Sequence, residues 1–169
     1  MKKHGLPPLV GEFKDGKVTW QRLEPIDYDT LGYLLSCHLI IEHYLDHFIS
    51  GLGHAELAWE GAKLTFGQKI SLISKLSRFK DPYNLPPVIK HLNSLRNRFS
   101  HKISTKLAKE DLIPFQEFLL KLTKDKAKIP TETLDLLSFF TTMVCAYLAG
   151  SIDAHFSYSI KGKKINKQA

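Results

Sequence analysis

Cysteine is scarce in this chain. Only Cys37 and Cys145 occur in 169 residues, each inside an apolar helical pattern and neither at a metal-ligand spacing. That excludes a disulfide scaffold and reads as two buried thiols in a reducing compartment. A zinc-protease HExxH pattern is missing: the nearest stretch is His43-Tyr44-Leu45-Asp46-His47, and two ligands fall short of the three or four a site needs, so no metal is expected. Met1 to Val10 carries lysines but no apolar signal-peptide core, which predicts a cytoplasmic location. No strand–helix alternation follows the first segment, which argues against a parallel sheet. No internal repeat and no helix-turn-helix signature stands out, so direct DNA readout is unsupported. An uninterrupted membrane-length run is lacking too. Leu134 to Ile152 is strongly apolar, but Asp135, Ser138, Thr141, Thr142 and Ser151 break it. It is read as a central buried helix rather than a membrane span.

Acidic residues are also outnumbered, 17 against 24 Lys and Arg, giving a formal net charge of +7. That favours an anionic partner such as a nucleic acid or a membrane surface, as a statement about association and not about fold. The composition is globular, 43% hydrophobic and 24% charged. The length suits one domain with a real core.

Three regions are distinguished: an N-terminal arm or β-hairpin over 1–26, a helical domain over 27–160, and a basic tail over 161–169 expected to be disordered. In the arm, Glu12 to Trp20 alternates around Asp15-Gly16, a two-residue hairpin signal. It is free to pack on the domain or on a second subunit. From Asp27 the apolar period becomes helical. Leu31, Leu34, Leu35, His38, Glu42, Leu45 and Phe48 lie on or beside one stripe, with Asp27 or Asp29 as cap and Gly51 as the end. Residues 53–61 read as a short helix or a loop. Thr65 and Gln68 have capping-box spacing, and Ile70, Ile73, Leu76 and Phe79 follow until Asp81-Pro82 stops the helix. Pro86-Pro87 starts the next helix, where Val88, Leu92, Leu95, Phe99 and Ile103 form a stripe. Asp111 to Leu122 is a further amphipathic helix, and Pro130 opens the long apolar one, which runs to about Ser159. The fold class is all-α: a bundle of four to five helices with a small N-terminal hairpin or arm.

The chemistry-bearing segment is Arg96-Asn97-Arg98-Phe99-Ser100-His101. It pairs a cation suited to gripping phosphate with a group that moves protons near neutral pH. Five residues advance about 500° around a helix, so positions 96 and 101 lie about 140° apart. One copy does not obviously converge both groups. A helix that ends near Ser100 would relieve this, and so would two copies of the motif facing each other.

With its setting in Leu92 to His101, the segment resembles the HEPN domain superfamily, helical bundles that carry an Arg, four to six residues and a His, often with Asn after the Arg. Phe66 to Ile70 and the helix with His38 and Glu42 make it most similar to the mannitol-repressor-like branch. The likeness covers roughly Asp27 to Ser159. It implies a metal-independent endoribonuclease of toxin or phage-defence kind, needing no cofactor, in which the RNA 2′-hydroxyl attacks the adjacent phosphate. Such proteins generally work as homodimers with a composite site, and usually have a separately encoded antitoxin or other inhibitory partner. On this resemblance His101 is the general acid or base, Arg96 holds and neutralises the phosphate, and Asn97 orients either partner or bonds a phosphate oxygen. Arg98, Lys90 and Lys102 supply backbone attraction to RNA. The alternative is a catalytically inactive, mannitol-repressor-like HEPN protein that regulates through protein or nucleic-acid contacts.

His38 and Glu42, four apart, share the apolar face of their helix. They are either a satisfied core pair or supporting residues that orient Arg96 or His101. Trp20 and Trp59 either stack bases or pack on a core edge.

Overall fold

The computed structural model describes residues 9–21, 27–52, 63–101 and 106–165. Lys102, Ile103 and the whole Gly53–Gly61 segment, with Trp59, lie outside them. The observed architecture is the expected one, a bundle of five helices preceded by a two-stranded hairpin.

Strands β1 (Leu9–Lys14) and β2 (Lys17–Gln21) pair antiparallel around Asp15-Gly16. Both turn residues have positive φ, 52° and 70°. Such a turn matches strand twist and favours Asp-Gly, because glycine carries no Cβ penalty there. The register breaks between Val10 and Phe13.

Helix α1 (Tyr28–Gly51) starts where Asp27 accepts from the Thr30 amide at 3.0 Å. Its buried line is Leu34, Cys37, His38, Ile41, Leu45, Phe48 and Ile49. Leu31, Leu35 and Glu42 fall beside this line and are only half-buried. Helix α2 (Phe66–Ile73) opens with the capping box: Thr65 N donates to Gln68 Oε1 at 2.8 Å and Gln68 N donates to Thr65 Oγ1 at 3.3 Å.

Helix α2 ends at Ile73 with Ser74 as its cap, and not at Asp81-Pro82; a separate 3₁₀ turn follows at Ser77–Phe79. The physical reason is rotation. Three steps of three residues, from Ile70 to Phe79, turn a helix by about 180°, so an unbroken helix would face Phe79 away from the core. The break lets Phe79 sit edge-on to Phe48 at 5.5 Å between ring centroids, and buried.

Helix α3 (Leu85–His101) carries Pro86 and Pro87 in its first turn, where the missing N–H groups have no intrahelical partner anyway. It buries Leu85, Val88, Ile89, Leu92 and Leu95, with Phe99 half-buried. Helix α4 (Lys109–Thr123) begins two residues before Asp111. Helix α5 (Thr133–Ile165) begins three residues after Pro130 and continues past residue 160, so 161–165 are helical where composition suggested a disordered tail. Extending an existing helix is far easier than nucleating one.

Helices α1 and α5 form the central pair, and α2, α3 and α4 close around them. Along α5 the buried residues are Leu136, Leu137, Phe140, Thr141, Val144, Cys145 and Leu148. The span Thr133–Ala154 is, among the described residues, the one helix long and apolar enough to cross a membrane. In this fold its apolar stripe packs in the bundle, while Asp135, Thr142, Ala146, Ala149, Gly150 and Asp153 face outward. Cys37 and Cys145 are both buried free thiols, and burial raises both, Cys145 to about 11.

Candidate functional site

Helix α3 presents three different faces. One flank, with Asn93 and Arg96, turns toward α1; the other, with His91 and Arg98, turns toward α4. Positions 90, 94 and 97 lie within about 60° of one another at the solvent apex. Lys90 and Ser94 are exposed there, and Asn97 is half-buried.

On the first flank, His38 of α1 is buried with its ring against Phe66, 4.0 Å between centroids. Its Nε2 meets Asn93 Oδ1 at 3.1 Å. In this arrangement Nε2 carries the proton and donates it, because an amide oxygen only accepts. The bare Nδ1 then faces Glu42 Oε2 at 4.0 Å, too far for a hydrogen bond. Burial depresses the His38 pKa. Asn93 and Glu42 pull it back up, while the Arg96 and Lys69 cations push it further down. His38 is therefore a neutral structural group at pH 7, facing α3 beside Arg96.

Glu42 is satisfied by Lys69 of α2, whose ammonium donates at 2.8 Å. Lys69 also reaches both oxygens of Asp46, at 2.7 and 3.0 Å. Burial alone would lower the Lys69 pKa; hydrogen bonds to Asp46 and Glu42 outweigh it and the net shift is upward. The ammonium is thus a permanent cation clamped between two acids.

The motif residues stand apart from this clamp. Arg96 is half-buried, and its Nη1 donates to Asn97 Oδ1 at 3.1 Å. Among the described residues it has no carboxylate partner. Ser100 Oγ donates back to the Arg96 carbonyl at 2.9 Å. The helix is continuous through His101, so it does not end early enough to bring positions 96 and 101 to one side.

Arg98 behaves differently from its neighbour. Its Nη2 donates to Asp111 Oδ2 of α4, and the same carboxylate oxygen accepts from Ala108 N at 2.9 Å. His91 Nε2 meets the Asp111 carbonyl at 2.8 Å and must donate to it. Burial disfavours the Asp111 charge, but Arg98 and the Ala108 amide outweigh it and hold the carboxyl below the usual range. Arg98 thus has its guanidinium engaged by an acid of the fold, although its side chain keeps partial exposure. It forms a latch that fixes α4 against the last turns of α3.

His43 and His47 are exposed and pair with each other, 4.4 Å between ring centroids. Among the described residues no three His, Cys, Asp or Glu side chains gather as a metal set. Lys69, Asn93, Asp46 and Asp111 were not singled out by sequence as site residues. One signal was available: Lys69 occupies a core position of the stripe Phe66, Ile70, Ile73, and a buried cation demands acidic partners.

Compared with known proteins, the chain matches no family model, no curated protein and no solved structure.

Proposed function

We propose that this chain is a HEPN-type, metal-independent endoribonuclease of the toxin or phage-defence kind, acting in the cytoplasm as a homodimer. The observation that carries the reading is the contrast within one helical turn. Arg98 is tied to an acid, whereas Arg96, half-buried like it, has only the Asn97 side chain as its described partner. A cation left without an acid is available to a phosphate oxygen, and a planar guanidinium meets it bidentately. The net charge of +7 draws RNA in.

In the proposed reaction His101 accepts the proton of the RNA 2′-hydroxyl. The 2′-oxygen bonds to phosphorus, and the bond from phosphorus to the 5′-oxygen breaks. That oxygen takes a proton from water or from the second copy of the motif, leaving a 2′,3′-cyclic phosphate and a 5′-hydroxyl. Arg96 neutralises charge building on the phosphoryl oxygens, and Asn97 holds the guanidinium in orientation. The divergence of positions 96 and 101 by about 140° supports a site shared between two copies. The His38–Asn93 bond steadies the α3 flank that carries Arg96. A separately encoded antitoxin is the expected inhibitory partner.

The test is incubation of the purified chain with structured RNA in EDTA, beside Arg96→Ala and His101→Ala. Cyclic-phosphate ends should form, and loss of His101 should slow cleavage by roughly 10²–10⁴-fold. Undiminished cleavage in His101→Ala removes the assignment. No cleavage under any condition favours the inactive, mannitol-repressor-like regulator.

A further inference from the structure

The hairpin has one apolar face, and a backbone irregularity makes it. Val10 and Phe13 are three residues apart and would point to opposite sides of a regular strand. The register break between them inserts the extra residue that restores them to one side, opposite Trp20 and Val18 respectively. Val18 and Trp20, two apart, already share that side. The broken ladder is satisfied locally: Glu12 N donates to Thr19 Oγ1 at 2.8 Å, and Thr19 Oγ1 donates to the Glu12 carbonyl at 3.0 Å. The bulge is thus a built feature whose effect is to gather four apolar side chains. Lys14 and Lys17, paired across the strands, sit next to the turn and off this face.

Nothing among the described residues covers the face. Phe13 is 76% exposed and Trp20 64%, and Val10 and Val18 are exposed as well. None of the four belongs to the helical core or to the side chains packed against it. An isolated two-stranded hairpin is marginally stable in water and needs further strands or a packed face.

We propose that the hairpin is a self-association element: its apolar face meets the same face of a second copy of this chain. The area supports this occupant. At their exposures Phe13 and Trp20 alone present roughly 200–350 Å², and the valines bring the face to roughly 400 Å², within the range of a functional patch on a small protein. A two-fold pairing buries the face twice, roughly 800 Å² of apolar side chain before flanking polar atoms are added, close to the ~1,000 Å² a specific interface needs. The face is uncharged and matches itself, as a two-fold axis requires. Two twisted hairpins stacked about 10 Å apart form a four-stranded, two-layer unit with the strand count that one hairpin lacks. The proposal stands on the hairpin alone and does not depend on Arg96 or His101 being catalytic.

The experiment is sedimentation equilibrium of the full chain without RNA, from 1 to 100 μM, for wild type and for Phe13→Ser/Trp20→Ser. Wild type should be dimeric. The double variant should associate roughly a thousandfold more weakly, since each copy loses two aromatic anchors. Its helical circular dichroism should be unchanged, because both residues lie outside the bundle core. Lys14→Glu/Lys17→Glu, off the apolar face, should keep the wild-type mass. A monomeric wild type at 100 μM overturns the proposal, and Trp20 quenching by RNA in such a monomer would assign the face to nucleic acid. A double variant that stays as dimeric as wild type also overturns it, while leaving a helix-mediated composite site intact. A dimer lost in the double variant from a chain that cuts no RNA upholds the clasp and rejects the nuclease.

Discussion

Replacing Asp111 with alanine removes two bonds made by one carboxylate oxygen: those from Arg98 of α3 and from Ala108 N at the start of α4. Losing a side-chain acceptor at a helix N-terminus costs about 1 kcal/mol. The ion pair adds to this. Asp111 is 13% exposed and Arg98 39%, so solvent screens the pair and its share is about 1 kcal/mol rather than the value of a dry bridge. The sum is about 2 kcal/mol. With a urea m-value of about 1–3 kcal/mol/M, the unfolding midpoint at pH 7 should fall by about 1 M. Circular dichroism at the helical band reads it. A double-mutant cycle with Arg98→Ala should give a coupling of about 1 kcal/mol. A loss below about 0.5 kcal/mol for Asp111→Ala, the range of an ordinary surface change, refutes the latch. The pH dependence adds a sign. The folded Asp111 pKa lies below its ordinary 3.8, so its contribution is complete above about pH 4 and is lost as pH falls through the folded value. The gap between wild type and Asp111→Asn should therefore narrow below pH 4; a gap that widens on acidification contradicts this.

His38 has a folded pKa depressed below 6.5, so the unfolded chain binds the proton first and stability should decline as pH drops below about 6.5. Its ring-proton NMR titration should have a midpoint under 6.5, and a midpoint above that value rejects the buried, neutral assignment. Lys69→Met leaves Glu42 and Asp46 without their shared cation and should cost about 2–3 kcal/mol in urea melts, less than a fully buried bridge because both acids retain solvent. A variant as stable as wild type would show that the clamp contributes nothing.

Local rules made much of this chain legible. Asp15-Gly16 encodes a turn with two positive φ angles, Asp27 caps α1, and Thr65 with Gln68 caps α2, because each depends on residues within four positions. Apolar periodicity gave the helices and their order. It misplaced the end of α2, since steps of three residues look periodic while drifting around the axis, and only the need to bury Phe79 against Phe48 reveals the break. The proposed site divides the same way. The spacing of Arg96, Asn97 and His101 and the basic charge are properties of the sequence alone. That Arg98 is latched to Asp111 whereas Arg96 has no described acid, that Lys69 neutralises Glu42, and that His38 rests on Asn93 depend on partners 13, 27 and 55 residues away. No local pattern encodes those pairings. They follow from which helix flanks meet once α1 and α5 have buried their stripes, because a buried polar group is held wherever the packed neighbours place its partner.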